Sequence, residues 1–167
     1  KDSTLNATAG MVGGGVAIKL SSSLYNTFAN NILISSDAAH DLVQIDSASH
    51  GNTFYWNNFT DTSGYYVNDL NGSNAYNTSI WNGTAYNGEG NVWLNVINGS
   101  VSIQGGDYGY SVVFPAYYIG SVGSGYPYNN TTSGSKFVCN FAGCQDNAPL
   151  TLSNTAPVQT ANLTVLC

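Results

Sequence analysis

Charged residues are rare in this chain. Asp, Glu, Lys and Arg together make up 7% of the sequence, against about 25% in typical globular proteins. Nine acids face three cations, the lysines at positions 1, 19 and 136, and the sequence contains no arginine. Nucleic-acid binding requires a basic surface that neutralises phosphates, and anionic membranes attract the same kind of patch. The composition therefore argues against both as partners.

Long apolar runs and helical periodicity are also lacking. No stretch approaches the ~18 consecutive apolar residues of a membrane-spanning helix, so we predict no membrane span. No segment has the pattern of a signal peptide. Because the chain starts at Lys1 without a methionine, we expect it to be a processed or excised segment.

Cysteine is scarce: two of the three cysteines are close enough in sequence to pair with each other, and the third lies at the end of the chain. Cys139 and Cys144 enclose the four residues Asn-Phe-Ala-Gly, and in an oxidising compartment we expect them to form a disulfide. The alternative is a pair of buried thiols; zinc binding is disfavoured because no second Cys or His pair follows at zinc spacing. If these two pair, Cys167 has no further cysteine to pair with in this sequence. Three alternatives stay open: a bond to another subunit, a bond to a cysteine outside this segment, or no role.

The residues that are present indicate a rigid β protein. Hydrophobic residues make up 43% and aromatic residues 13% of the chain, which argues against disorder. Short runs rich in Val, Ile, Tyr, Phe and Trp are punctuated by Gly, Asn, Ser and Asp, as in strands and turns. The predicted strands are Val16–Leu20, Asn31–Ser35, Leu42–Asp46, Thr53–Trp56, Tyr65–Asn68, Asn91–Val96, Ser100–Gln104, Ser111–Phe114, Lys136–Asn140 and Ala161–Leu166.

A repeat runs through the first hundred residues. Asn-Thr pairs begin at Asn26, Asn52 and Asn77, roughly 25 residues apart. A second asparagine follows each of these after five residues, at positions 31, 57 and 82. Units this short cannot bury their own apolar face, so neighbouring units must stack.

The repeat predicts an all-β fold, a right-handed parallel β-helix. Stacked rungs about 4.8 Å apart would align two asparagine ladders, whose amides hydrogen-bond along the stack. The predicted ladders are Asn26, Asn52 and Asn77, and Asn31, Asn57 and Asn82. Asparagine also tolerates the left-handed backbone of tight corners. Phe28 and Phe54 should stack inward with Ile80 at the next level. The alternative is an antiparallel β-sandwich in which the Asn-Thr pairs are coincidental.

The repeat fades after about Ser100, which sets the predicted domain organisation. Residues 1–150 form the β-helix repeat domain, including a loop-rich C-terminal cap at about 101–150. Such a cap would cover the open end of the stack, which is otherwise an aggregation edge. Residues 151–167 form a linker and a terminal strand.

Nine Asn-x-Ser/Thr sequons are present, about twice the number that this composition gives by chance. They predict N-glycosylation and an extracellular or cell-surface location, although an inward-facing asparagine in a ladder cannot carry a sugar. The sequons are at Asn6, Asn58, Asn71, Asn77, Asn82, Asn98, Asn129, Asn130 and Asn162.

These residues resemble a known family. The Asn-Thr-Phe repeats are similar to the right-handed β-helix repeats of NosD-type, or carbohydrate-binding and sugar-hydrolase-type, surface proteins, which are abundant in archaea. Gly90–Asn95 resembles the family's Gly-Asn-x-Trp-x-Asn turn, and Gly125–Tyr128 and Asp146–Leu150 resemble its closing segments, in the same order. The match spans Val16–Leu150. The resemblance implies a β-helix outside the cytoplasm and fixes no activity, because β-helices have unrelated functions.

Candidate catalytic residues are few. A lyase acting on acidic sugars needs a strong base and cations, and a glycosidase needs two facing carboxyl groups. Asp37, Asp41 and Asp46 are close in sequence, with His40 and His50 nearby, but Asp37 and Asp41 are expected in a corner turn, where Asp is a usual residue. The same His and Asp residues are a weak metal candidate, because the segment lacks the Met, Cys and His density of a copper site. We therefore predict no catalytic residues, no metal and no cofactor.

The leading hypothesis is a non-catalytic, glycosylated structural protein of a filament, surface layer or adhesin. Self-association would proceed by strand addition, with Asp2–Val12 or Leu163–Leu166 completing a sheet of the next copy. The alternative is a module that binds or processes carbohydrate, with polysaccharide as partner. Its candidate platforms are the tyrosine pairs Tyr65-Tyr66, Tyr117-Tyr118 and Tyr126-x-Tyr128, although most aromatics are expected in the core.

Overall fold

The computed structural model is an all-β structure with one four-residue helix. It describes residues 4–7, 15–35, 40–60, 64–77, 80–81, 86–87, 90–97, 117–118, 128–131, 134–141, 144–146 and 149–151. None of the helical residues described forms a segment long and apolar enough to cross a bilayer.

Sixteen short strands and one helix follow one another along the described chain. They are β1 Thr4–Ala7, β2 Ile18–Leu20, β3 Thr27–Ala29, β4 Ile32–Ser35, β5 Val43–Ile45, β6 Thr53–Tyr55, β7 Asn58–Phe59, β8 Val67–Asp69, β9 Ile80–Trp81, β10 Tyr86–Asn87, β11 Val92–Trp93, α1 Leu94–Ile97, β12 Tyr117–Tyr118, β13 Tyr128–Asn129, β14 Phe137–Cys139, β15 Gln145–Asp146 and β16 Leu150–Thr151.

Three sheets contain most of these strands, and their pairing is mainly parallel. Sheet 1 has the order β1-β4-β7-β11-β16-β12, in which only β12 is antiparallel to its neighbour. Sheet 2 is wholly parallel, with the order β14-β8-β5-β2. Sheet 3 pairs β3 with β6 in parallel, and a single bridge joins Thr53 to Ala75. This parallel pairing does not fit the alternative of an antiparallel sandwich.

Successive strands of the chain join the three sheets in a fixed order that repeats. Strands β2, β3 and β4 lie in sheets 2, 3 and 1, and strands β5, β6 and β7 repeat that order directly beside them. Strands β8 and β11 form the third passage through sheets 2 and 1, and β14 and β16 form the fourth. Two antiparallel pairs, β9 with β10 and β13 with β15, lie outside this order.

Strict alternation of side chains places the core between the sheets. In sheet 2 the middle residue of each strand points outward, while the first and third residues are buried, as the two-residue period of a strand requires. Stacked aromatic rings fill the centre. Phe28 lies 4.8 Å from Phe54 between ring centroids, and Phe54 lies 5.4 Å from Tyr76. The predicted Phe28–Phe54 stack is therefore present, but Tyr76 occupies its third level and Ile80 lies in β9.

Left-handed residues form the corners that precede the ladder asparagines. Positive φ angles occur at Tyr25 and Gly51, before Asn26 and Asn52, and at Asn30 and Trp56, before Asn31 and Asn57. The ladder asparagines themselves are absent from the described residues with positive φ. The ladder asparagines therefore support these corners through side-chain hydrogen bonds, and among the described asparagines only Asn30 has a left-handed backbone.

Most predicted strands coincide with observed ones, and one is partly wrong. The predicted strand Asn91–Val96 ends at Trp93, where the chain turns into α1. Three other predicted strands, Ser100–Gln104, Ser111–Phe114 and Ala161–Leu166, lie outside the described residues. Within the stretch predicted as a cap, β14 and β16 add strands to sheets 2 and 1.

Candidate functional site

The first asparagine ladder runs along the stacking direction and ends on a carboxylate. The backbone N–H and Nδ2 of Asn26 donate to Oδ1 of Asn52, at 2.9 and 3.0 Å. Asn52 donates in the same way to Oδ1 of Asn74, at 3.0 and 2.9 Å. Nδ2 of Asn74 donates to both carboxylate oxygens of Asp69, at 3.2 and 3.1 Å. Each contact between two ladder asparagines therefore runs from an earlier rung to a later one, while Nδ2 of Asn52 and of Asn74 also donates back to the carbonyls of Ser23 and Ser49.

The second ladder repeats this arrangement in full. The backbone N–H and Nδ2 of Asn31 donate to Oδ1 of Asn57, and those of Asn57 donate to Oδ1 of Asn91. The backbone N–H of Asn91 then donates to Asp146 at 2.8 Å. A carboxylate accepts hydrogen bonds and donates none, so Asp146 satisfies the last onward backbone donor of the ladder, while Nδ2 of Asn91 also donates to the carbonyls of Phe54 and Tyr76.

The third member of each ladder differs from the predicted one. Asn74 takes the place predicted for Asn77 because this rung is only 22 residues after Asn52. Asn91 takes the place predicted for Asn82 because 34 residues separate it from Asn57, and the β9–β10 pair lies in the intervening segment. Asn82 lies outside the described residues. A constant period therefore locates the first two rungs and fails at the third.

The buried carboxylate of Asp69 accepts several hydrogen bonds. Asp69 is 0% exposed. It accepts from the backbone N–H groups of Asn71 and Gly72 and, at 2.8 Å, from the hydroxyl of Tyr76. Burial, followed by the charge of Asp69, raises the pKa of Tyr76 well above its ordinary value. This hydroxyl therefore stays protonated and remains a donor.

The Gly-Asn-x-Trp-x-Asn segment meets the two closing segments around one tryptophan. Trp93 donates from Nε1 to Asp146 at 2.9 Å, and its ring stacks on Tyr128 with centroids 4.5 Å apart. The hydroxyl of Tyr128 donates to Oδ1 of Asn95 at 3.0 Å. Asn91 adds its backbone hydrogen bond to Asp146. These motif residues thus form a buried structural junction.

Glycine is required at the first position of that segment for a steric reason. A Cβ atom on Gly90 would overlap the carboxylate of Asp146. The backbone carbonyl of Gly90 also accepts a hydrogen bond from the backbone N–H of Trp56 at 2.6 Å. The close approach between this corner and Asp146 therefore depends on the missing side chain.

The acids and histidines considered as catalytic or metal-binding residues serve separate local roles. Asp46 closes a surface turn, accepting from the Ser49 hydroxyl at 2.7 Å and the Ser21 hydroxyl at 2.8 Å. These hydrogen bonds lower the pKa of Asp46, and desolvation opposes them. Asp41 is buried and accepts hydrogen bonds from the side chains of Gln44 and Asn68 and from the backbone N–H of Tyr65.

The two histidines have separate surroundings in the described structure. His50 packs its ring edge against Tyr25, with centroids 5.7 Å apart, and its Nδ1 lies 3.3 Å from the Ala48 carbonyl. His40 is half-buried. Asp37 lies outside the described residues. The sequence predicts the turn role for Asp37 and Asp41, whereas Asp46, predicted as the end of the strand Leu42–Asp46, lies just after β5 and closes the turn.

The cysteine pair lies where the sequence predicts it. The sulfur atoms of Cys139 and Cys144 are at disulfide distance, and their Cα atoms are 6.1 Å apart. The carboxylate of Asp69 lies within 4.8 Å of both sulfurs. Disulfide sulfurs are not thiolates, and the thiolate is the metal ligand, so this trio offers no metal site in the oxidised protein. Cys167 lies outside the described residues.

Five of the nine sequons have described side chains. Asn130 is exposed, and Asn58, Asn71, Asn77 and Asn129 are half-buried. Oδ1 of Asn129 accepts from both the backbone N–H and the hydroxyl of Thr131, at 2.9 and 2.7 Å. Asn6 lies in β1, and its side chain is not described. Asn82, Asn98 and Asn162 lie outside the described residues.

Sequence reasoning missed the two carboxylates that end the ladders and one surface network. Asp69 and Asp146 were not singled out as ladder residues, since each differs from asparagine and lies off the repeat. The network joins Asp41 to the outer face of sheet 2. Alternation predicts that Lys19, Gln44 and Asn68 face outward, but not that Asp41 lies beside them.

Comparison of the chain with protein-family models, with curated proteins and with solved structures gave no match. The resemblance to NosD-type β-helix proteins therefore stays a prediction, and the argument for function depends on the geometry above.

Proposed function

We propose that this chain is a non-catalytic structural subunit, secreted and N-glycosylated, that assembles into an extracellular filament, surface layer or adhesin. The observation that carries this proposal is the use of the buried acids Asp69 and Asp146. Both end asparagine ladders: Asp69 accepts from Asn74 and Tyr76 of its own passage, and Asp146 accepts from Asn91 and Trp93, which are 55 and 53 residues away in sequence. Two side chains with catalytic potential are thereby committed to structural hydrogen bonds at the ladder ends.

The fold proposed for this subunit is a right-handed parallel β-helix of the NosD-like kind. The fixed rotation of strands through sheets 2, 3 and 1 supports a helical winding. Right-handedness is supported by the general rule that connections between parallel strands of one sheet are right-handed in about 98% of cases. The asparagine and aromatic stacks follow the same axis.

Assembly is proposed to occur by strand addition at the end of the stack formed by β2 and β3. Among the described strands, β2 and β3 are consecutive and each is the edge of its sheet. An edge strand presents unpaired backbone groups on one side, and a strand from another copy can pair with them. A head-to-tail contact of this kind generates an open filament.

The location is supported by the Cys139–Cys144 pair at disulfide distance, which is compatible with an oxidising, extracellular compartment. Glycosylation is supported by the sequons, of which Asn130 is exposed and Asn58 lies on β7. Mass spectrometry of glycopeptides from native material tests this part of the proposal.

Electron microscopy of the native, glycosylated protein at neutral pH tests the assembly. We expect regular filaments or sheets. Deleting 161–167, which holds the proposed donor strand Leu163–Leu166, should abolish them; the other predicted donor, Asp2–Val12, contains β1, which pairs with β4 of its own chain. Loss of assembly both in reductant and in a Cys167→Ser variant would implicate Cys167 in the joint, because reductant alone also breaks the Cys139–Cys144 pair. Dispersed monomers under all conditions would contradict the proposed function.

A further inference from the structure

The outer face of sheet 2 carries a groove that the structural role above does not explain. Its volume is ≈ 280 Å³, and it crosses β2, β5 and β8. Its polar lining includes Lys19, Gln44, Asn68 and Asp46, and Leu70 contributes an apolar wall that is 43% exposed. A concave, mainly apolar surface with a few convergent polar groups is the usual form of a binding site.

Three polar side chains stand in register along this groove. Lys19 pairs with Gln44, and Gln44 pairs with Asn68, as the middle residues of adjacent parallel strands. Neighbouring strands lie about 4.8 Å apart, so the groove presents one polar group per rung in a straight row. A ligand with a regular repeat of polar groups fits such a row better than a compact one.

Asp41 fixes the orientation of the two amides. Its Oδ2 accepts from Nε2 of Gln44 at 3.2 Å and from Nδ2 of Asn68 at 3.0 Å. Its Oδ1 accepts from the backbone N–H of Tyr65 at 3.0 Å. The amide nitrogens are thus engaged, and within the described residues the oxygens of Gln44 and Asn68 accept no hydrogen bond. Two acceptors are held in place before any ligand binds.

Lys19 supplies the cation of this surface. It is exposed and forms no ion pair within the described part of the chain. The carboxylates of Asp41 and Asp46 lie beside the same row. Acceptors therefore outnumber the single strong donor, and two negative charges oppose the approach of an anion.

We propose that this groove binds a neutral glycan whose chain runs across β2, β5 and β8. Sugar hydroxyls donate to the oxygens of Gln44 and Asn68, and a hydroxyl or ring oxygen accepts from Lys19. The apolar C–H face of a sugar ring packs on Leu70. This inference goes beyond the proposed function and does not depend on assembly, because the groove lies within one copy of the chain.

Titration of the full chain with neutral tetrasaccharides tests the proposal. The probes are cellotetraose, maltotetraose and mannotetraose at up to millimolar concentration, with tetragalacturonate as the anionic counterpart, and ¹H–¹⁵N spectra provide the readout. We expect saturable shifts with at least one neutral probe, confined to residues of β2, β5 and β8, and weaker or no shifts with tetragalacturonate.

Matched variants separate the groove from general effects of charge. Lys19→Gln and Lys136→Gln remove the same charge, but Lys136 lies over the ring of Tyr66 and does not line the groove. We expect Lys19→Gln to weaken binding about fivefold, the equivalent of one hydrogen bond, and Lys136→Gln to leave it unchanged. Gln44→Ala should weaken binding similarly, and its unfolding curve shows whether the variant is folded.

Several outcomes would overturn the proposal. These are the absence of shifts with all three neutral probes, shifts that map elsewhere on the chain, equal weakening by the two lysine variants, and tighter binding of tetragalacturonate. Filaments that form normally with no sugar binding would reject this inference and leave the proposed function standing.

Discussion

At the scale of single residues, two buried aspartates explain why the ladders can be built from asparagine. Each inner asparagine accepts at Oδ1 from the previous rung, and its Nδ2 donates both to the next asparagine and to a backbone carbonyl of the previous passage. Such a chain needs an acceptor at its end that brings no further donor, and a carboxylate meets that need. Hydrogen bonds aligned head to tail also strengthen one another.

Replacement of Asp146 tests this role. Asp146→Ala leaves the backbone N–H of Asn91 and Nε1 of Trp93 without their acceptor, and we expect a loss of about 2–5 kcal/mol in the free energy of unfolding. Asp146→Asn keeps one acceptor oxygen and should lose less than half as much. Urea unfolding of both variants measures the difference. Equal losses would show that a ladder end does not require an oxygen acceptor.

Tyr76 predicts a specific response to alkaline pH. Burial and the charge of Asp69 raise its pKa in the folded chain above the ordinary value of 10.0. The folded state therefore holds this proton more tightly than the unfolded state. The resulting stability is fully present below pH 10 and is lost as the pH rises from there through the folded pKa.

The variant Tyr76→Phe removes this proton. It should lower the free energy of unfolding at pH 7 by about 1.5–3 kcal/mol, because the charged Asp69 loses a hydrogen bond. Between pH 9 and pH 11, roughly either side of the tyrosine pKa, the variant should lose stability less steeply than the parent chain. Thermal unfolding across that range provides the measurement, and parallel pH profiles would contradict the assignment. Burial also raises the pKa of Tyr128, so part of the alkaline sensitivity should remain in the variant.

At the scale of structural elements, the contribution of a ladder asparagine to stability depends on how deeply its side chain is buried. Asn52 is 0% exposed, accepts two hydrogen bonds from Asn26 and donates through Nδ2 to Asn74 and to the Ser23 carbonyl. Asn26 is exposed and is the first member of its ladder. The same side chain therefore has very different surroundings at the two positions.

The pair Asn52→Ala and Asn26→Ala measures that difference. We expect Asn52→Ala to reduce the free energy of unfolding by about 2–4 kcal/mol, because several buried polar groups lose their partners, and Asn26→Ala to reduce it by about 1 kcal/mol or less. Chemical denaturation with matched m-values provides the comparison. Similar losses in the two variants would indicate that the ladder contributes little to the stacking of rungs.

The repeat in the sequence predicts the regular part of these elements and misses the irregular part. Asn26, Asn52, Asn31 and Asn57 follow a spacing of 26 residues, so a periodic pattern identifies them. The third rung breaks that spacing at Asn74 and Asn91, since loops between strands change length without changing the sheet. Asp146 is 55 residues from Asn91. A contact at that separation between different residue types leaves no periodic signal.

At the scale of the whole molecule, strands differ in how many neighbours hold their backbone. Strands β5 and β7 lie between two neighbours in their sheets, and β6 lies between β3 and the bridge at Ala75. Strands β2 and β3 have one neighbour each among the described strands. Local opening is easier where fewer contacts must break, so we expect amide exchange to be slowest in β5, β6 and β7 of the dispersed chain.

Assembly by strand addition changes this pattern in a defined way. When a strand of the next copy pairs with β2 and β3, their edge amides gain hydrogen-bond partners, and exchange there should slow by at least about tenfold, which corresponds to 1.4 kcal/mol. Strands β5 and β7 already have two neighbours and should change little, so they serve as the internal control. Hydrogen exchange read by mass spectrometry, on filaments and on dispersed chain, makes the comparison. Slowing confined to other surfaces would place the joint elsewhere, because only new backbone pairing at these edges protects β2 and β3 while leaving the middle strands unchanged.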